Sequence, residues 1–286
     1  MSVDPVRRPR AARFAARLVS RSVVAESVVA KSVVARYVVA WCVAALALAG
    51  LAVGPARATP FGATGEGTFL ALSDIHFDPF GDDALVRRLA AAPVERWPAL
   101  FARAGRRPIS KLGTDSNYTL MTSALDAAAK HKVDYVLVGG DLLSHDFEAN
   151  AAAVLGSKRA ARAFATKTTV FVAREIERRF PDVPVIPAIG NNDSDCGDYA
   201  IEPGGAYLAR LARTWRLFAA DPAAARAYAR TGSFVTAHPT VPRHRIVVVN
   251  DVYLSREYVD VCRPDERDPG VATLDWLSAR LDAIAA

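Results

Sequence analysis

Phe69-Leu70-Ala71-Leu72-Ser73 runs straight into Asp74-Ile75-His76, an apolar stretch of strand length that stops at two groups able to bind a cation. The same join occurs twice more. Val133–Val138 ends at Gly139-Gly140-Asp141, and Val183–Ile189 ends at Gly190-Asn191-Asn192-Asp193. Short apolar, β-branched runs closed by Gly and Asp read as buried strands that turn into loops. Asp74, His76, Asp141 and Asn191 together offer two carboxylates, one imidazole and one amide oxygen. That donor set suits Zn²⁺, with Mn²⁺ or Fe as alternatives, better than a thiolate-seeking metal. Open α/β sheets place their chemistry at the carboxyl ends of strands.

Working outward, strand and helix signals alternate, which predicts an α/β layered fold. Residues 78–117, with their Pro, Gly and Arg clusters, read as a long connection, and connections of that length are usually functional. Helical spacing covers Tyr118–Lys130, one or two helices fill 148–180, and further helices fall near 204–219 and 221–230. Strands at 232–237 and 245–250 precede a last amphipathic helix at 271–284. Pro184 and Pro187 make the third strand irregular. The Arg-rich stretch around 158–179 reads as a solvated helix face.

The chain has 286 residues, 51% of them hydrophobic, enough for one large core or two small ones. Its basic balance is local. Residues 1–58 hold nine of the 36 Lys and Arg but only two of the 30 Asp and Glu, so the remainder carries 27 basic against 28 acidic residues. No surface for duplex nucleic acid is expected from it.

Residues 1–58 read as a leader. Arg7, Arg8, Arg10, Arg13, Arg17 and Arg21 form a basic start, and Tyr37 to Ala56 is free of charge. Ala56-Arg57-Ala58 is a small-residue cleavage site, which predicts export to the periplasm or medium with a mature chain from Thr59. Uncleaved, the same segment is long enough to anchor the chain in a membrane. Trp41 before Cys42 argues against a lipoprotein. Ser-Val-Val-Ala recurs at 22–25, 27–30 and 32–35, with Tyr37-Val38-Val39-Ala40 as an altered copy. This five-residue period matches no repeat architecture and carries no functional reading. Beyond the leader only Cys196 and Cys262 remain. Both lie in loops after predicted strands, and an exported chain could pair them. Zinc ligation by Cys196 is the rival reading.

Asp-x-His alone is weak evidence. All three blocks in order, each at the end of an apolar run, are specific. The pattern resembles the calcineurin-like metallophosphoesterases, and more closely their acid-sphingomyelinase-like phosphodiesterase branch, which also resembles endopolyphosphatases. Asp74-Ile75-His76-Phe77-Asp78 and Gly140-Asp141-Leu142-Leu143-Ser144-His145-Asp146 carry the closer likeness. Val247-Val248-Val249-Asn250 with Ser255-Arg256-Glu257, and Leu274-Asp275-Trp276-Leu277, extend it through residues 68–286.

The resemblance implies a four-layer α/β/β/α sandwich over residues 59–286, with its second sheet incomplete. It implies two divalent metal ions, the first held by Asp74 and His76, the second by Asn191, with Asp141 bridging. The reaction implied is hydrolysis of a phosphodiester by a hydroxide that the two metals activate, on a lipid, nucleotide or polyphosphate substrate. The membrane would enter only through an uncleaved leader or a lipid substrate. A phosphomonoesterase or polyphosphatase fits the same scaffold.

Two departures from the family stand out. Asn192 replaces the usual His and can hydrogen-bond a phosphoryl oxygen but not act as an acid, so His145 is expected as the catalytic acid, or else as a residue that orients Asp141. The family's later Gly-His and Gly-His-x-His blocks are not found in the sequence. The alternative expectation is therefore a truncated, catalytically defective remnant with weak metal binding. His238 and His244 read as ordinary loop residues. Asp193 reads as a loop support bonded to backbone, and Asp115 and Asn117 as substrate-facing positions.

Overall fold

The computed structural model describes residues 67–262 and 268–285. The leader lies outside these residues. Among them, no helix is long and apolar enough to cross a membrane.

Three parallel strands form the first sheet in the order β1 (Phe69–Leu72), β2 (Tyr135–Val138), β3 (Val185–Pro187). In register, Leu72 faces Val138, and Val138 faces Pro187. All three strands therefore end together, and the three motif blocks emerge side by side. A second sheet holds antiparallel β4 (Phe234–Ala237) and β5 (Arg245–Val248). Val136, Val138, Val185, Ile186 and Phe234 belong to one apolar cluster, so both sheets share a core. The expected α/β class with a small second sheet is what the described residues form.

The predicted connection at 78–117 needs correction, because it contains two helices. α1 (Asp83–Ala91) starts where Asp82 accepts the N–H groups of Ala84 and Leu85, satisfying donors that a helix start leaves open. Leu85, Val86 and Leu89 form its buried face. α2 (Trp97–Ala104) carries Pro98 in its first turn, where a missing N–H costs nothing. Trp97 and Phe101 are buried there. The Pro and Gly that read as loop signals punctuate two short helices.

α3 (Tyr118–Ala128) is capped by Asn117. α4 (Phe147–Leu155) and α5 (Lys158–Arg179) divide at Gly156, whose φ of 77° is a left-handed helix end. α6 (Ala206–Ala212), α7 (Leu217–Ala220) and α8 (Pro222–Thr231) precede β4, and α9 (Pro269–Ala285) follows β5.

α5 also departs from the solvated-face reading. Arg179 is nearly buried, 2.8 Å from buried Glu175 and 2.6 Å from Asp126. Arg162 reaches Asp195 Oδ2 at 3.4 Å. Thr168, Thr169, Phe171 and Val172 are buried along the same helix.

An aromatic cluster sits under the ends of the first sheet. Phe77, fully buried, meets Phe101 of α2 and Phe171 of α5 at ring-centre distances of 6.0 and 5.8 Å. Because Phe77 directly follows His76, this packing fixes the loop that bears the first motif.

Candidate metal centre

Past the strands, the loops keep the spacing of the sheet. Asp74 N–H donates to Gly140 O, His76 N–H to Asp141 O at 2.9 Å, and Phe77 N–H to Leu142 O at 2.8 Å. A third segment joins through reciprocal bonds: Ser116 N–H to His76 O and Asp78 N–H to Ser116 O, both 2.8 Å.

Asp74, His76 and Asp141 have φ values of 55°, 42° and 54°. Non-glycine residues in this left-handed region are uncommon, and such strained positions cluster at ligand sites. The turns bring the three side chains together. Their ligand atoms lie within 4.8 Å of one another, with His76 Nε2 3.7 Å from Asp74 Oδ1 and 3.9 Å from Asp141 Oδ2. His76 Nδ1 lies 3.1 Å from Leu143 O. A carbonyl accepts only, so Nδ1 carries a proton, and Nε2 is the ring atom that faces the carboxylates and could ligate a metal.

Glycines let the second and third loops touch. A Cβ on Gly190 would stand 2.2 Å from Asp141 Oδ1, and one on Gly140 would stand 2.1 Å from Gly190 N. The Asn192 N–H donates to Asp141 Oδ1 at 2.9 Å. Burial pushes the Asp141 carboxyl up from its ordinary value, and the Asn192 N–H works against that shift. Asn191 donates through Nδ2 to Asn192 Oδ1 at 2.9 Å, which leaves its own Oδ1 as the side-chain atom that could meet a cation. Two carboxylates, an imidazole oriented through Nδ1 and an amide oxygen on touching loops fit a divalent cation.

Asn192 itself is 2% exposed, and its Nδ2 finds no partner among the described residues. Its backbone N–H braces Asp141, and its Oδ1 accepts from Asn191. Asp193 behaves as read. Its buried carboxylate accepts from Leu142 N at 2.7 Å and Gly190 N at 3.0 Å, clamping the two loops. Burial pushes its pKa up to about 7 against these N–H donors.

His145 bonds through Nδ1 to Asp115 Oδ1 at 2.8 Å, and its backbone N–H reaches Asp115 Oδ2 at 3.1 Å. That pairing raises its pKa. Its ring stacks on His76 with centres 4.3 Å apart and planes 9° from parallel. Asp115, His76 and His145 form a second group of potential ligands within 4.8 Å. Asp141 is held by Asn192 rather than by His145. The role of Asp115 as His145's partner was not readable from the sequence, since 30 residues separate them. Asn117 has both its polar side-chain atoms engaged, Oδ1 accepting from Leu120 N and Nδ2 donating to Pro108 O. It builds the start of α3 and borders the cavity beside Asp115.

Cys196 and Cys262 are joined in a disulfide, with Cα atoms 5.8 Å apart, so Cys196 is not a zinc ligand here. The bridge ties the loop after Asn191 to the segment after β5, where the Val259 N–H also donates to Tyr199 O. His238 accepts from Val241 N through Nδ1 and meets the Tyr135 hydroxyl through Nε2. It braces the turn between β4 and β5, as an ordinary loop residue would.

The family model for calcineurin-like phosphoesterases matches residues 67–282. An endopolyphosphatase of Neurospora crassa is 26% identical over 236 residues, 75% of this chain and 29% of that protein. An endopolyphosphatase of Schizosaccharomyces pombe is 29% identical over 183 residues, 59% of this chain and 29% of that protein. A sphingomyelinase phosphodiesterase C of Dictyostelium discoideum is 25% identical over 134 residues, 45% and 27% of the two chains. The chain thus spans less than a third of the length of these curated relatives. That family model covers most of the chain, and the chain belongs to the calcineurin-like phosphoesterases.

Proposed function

We propose that this chain is a metal-dependent phosphoric ester hydrolase acting on phosphodiester bonds, exported by way of its leader. The observation that carries this reading is the convergence of Asp74, His76 and Asp141 within 4.8 Å on strained turns at the ends of adjacent strands. Two divalent cations, Zn²⁺ in preference to Mn²⁺ or Fe, would supply Lewis acidity toward water and phosphoryl oxygens when bound.

The chain's own residues do the rest. Asp74 and His76 would hold the first cation, Asn191 the second, and Asp141 both. The Asn192 N–H and the Asp193 clamp keep the Asp141 carboxylate from turning. Asp115 fixes the His145 ring through Nδ1 and favours its protonated form, leaving Nε2 to give a proton to the departing oxygen. Hydrolysis of polyphosphate on the same scaffold is the second reading, supported by the printed names of the Neurospora and Schizosaccharomyces relatives. Export is supported by the basic and apolar order of residues 1–58.

The test is metal content and turnover of bis(4-nitrophenyl) phosphate by the full chain, beside Asp141→Asn and His145→Ala. Asp141→Asn should lose metal and turnover together. His145→Ala should keep its metal and slow esters with poor leaving groups most. A wild-type chain that takes up no Zn²⁺ or Mn²⁺ sinks the reading. An intact mass of the native protein beginning at Thr59 would support export, and one beginning at Met1 would count against cleavage.

A further inference from the structure

The segment between α2 and α3 carries charge of one sign. Arg103, Arg106, Arg107 and Lys111 fall within residues 103–112, with no acidic residue among them. Arg107 is engaged, donating to Gly81 O at 2.6 Å and standing 4.0 Å from Asp82. Arg103, Arg106 and Lys111 are exposed and enter no ion pair among the described residues. Two large aliphatic side chains stand among these cations. Ile109 is 59% exposed and Leu112 fully so, and neither joins the apolar core.

The loop is held in place. Asn117 N–H donates to Ser110 Oγ at 2.8 Å, and Asn117 Nδ2 to Pro108 O at 2.7 Å. Thr114 Oγ1 donates to Lys111 O at 2.7 Å. The backbone around Ile109 and Leu112 is therefore pinned while their side chains meet water. A lone exposed aliphatic residue is ordinary. Two on one pinned loop, set among unpaired cations, match a partner that is apolar and anionic together. A nucleic acid or phosphate chain would answer the cations and leave Ile109 and Leu112 in water. A bilayer with anionic headgroups answers both, since aliphatic side chains enter the acyl boundary while Lys and Arg stay at the phosphates.

We propose that residues 103–112 dock this chain on an anionic lipid surface through Ile109 and Leu112, separately from the leader. Leu112 lies three residues before Asp115, a span of at most about 11 Å. Docking thus sets the ligand group of Asp115, His76 and His145 close to the headgroups. It requires neither bound metal nor turnover, so it stands or falls apart from the phosphoesterase reading.

The test uses the full chain with vesicles of phosphatidylcholine, with and without phosphatidylglycerol. Because the leader is itself basic and apolar, the readout must be local to the loop. Leu112→Cys carries a nitrobenzoxadiazole label, and Cys42→Ser removes the other thiol outside the disulfide. On phosphatidylglycerol vesicles the label should brighten and shift to the blue, and on phosphatidylcholine alone it should change little. Ile109→Ser, and separately Arg106→Glu with Lys111→Glu, should each raise the lipid concentration at half response by about tenfold. All three side chains are exposed, so these changes leave the core intact. The proposal is overturned if the label keeps its aqueous emission while the chain floats with the vesicles, which would assign binding to the leader. It is overturned equally if neutral vesicles give the same response, or if no vesicle gives any. Loss with the charge reversals but none with Ile109→Ser would replace the lipid surface by a polyanion.

Discussion

Gly190 lies directly against the Asp141 carboxylate, leaving no room for a Cβ, which would fall 2.2 Å from Oδ1. The ligand expected to serve both cations is thus positioned by a backbone that has no side chain. Gly190→Ala should displace Asp141 and cost about 1–3 kcal/mol of stability through overpacking. Denaturant unfolding measures the loss, and metal titration should show weakened binding at temperatures where the variant is still folded. Unchanged metal affinity would mean that Asp141 can move without consequence.

Phe77→Ala tests the support beneath the first motif. The ring is fully buried and touches Phe101 and Phe171, so its removal should cost about 3–5 kcal/mol. Because His76 is its neighbour, crystals or NMR of the variant should also show the His76 ring losing its stack on His145.

The disulfide encloses a long loop, with 66 residues of sequence separation. Loop-closure entropy puts its contribution at about 4 kcal/mol. Cys196→Ala with Cys262→Ala should lower the urea midpoint accordingly, and reduction of the wild type should reproduce that shift. A midpoint indifferent to reductant would show that the bonds of Tyr199 and Val259 suffice to hold these segments.

Glu177 gives a pH signature remote from the metal cluster. Burial raises its pKa, opposed by the Arg216 backbone N–H that donates to it at 2.7 Å and by the Arg216 charge. The native state therefore holds this proton more tightly than the unfolded chain, which titrates at its ordinary carboxylate value. Its contribution is most favourable below that value and falls as pH rises through the raised one. Glu177→Gln keeps an acceptor oxygen and should flatten this part of the decline. Urea midpoints compared across weakly acidic pH check it, and parallel curves for both proteins would refute the assignment.

The strands, their order of motifs and the Asp74, His76, Asp141 convergence were legible because apolar runs ending in Gly and Asp leave a local signal. α1 and α2 were not. Both are short, and Pro93, Pro98 and Gly105 mimic loop punctuation until Asp82 is seen capping one helix and Trp97 is seen buried in the next. The Asp115–His145 pair was hidden for a different reason. It depends on how the segment before α3 folds back against the first loop, and bonds between His76, Asp78 and Ser116 decide that. Arg179 looked solvated because Asp126, its partner on α3, reveals itself only when α3 meets α5, although Glu175 lies one turn back in the same helix.

The left-handed turns at Asp74, His76 and Asp141 also restrict what evolution can write at these three places. Asp, Asn and His are the side chains that tolerate such a backbone best, and they are also oxygen and nitrogen donors. A bulky or β-branched replacement would be penalised by the peptide chain before any metal was encountered. The shape of the main chain thus filters the alphabet available to the site, and metal preference is inherited in part from conformation.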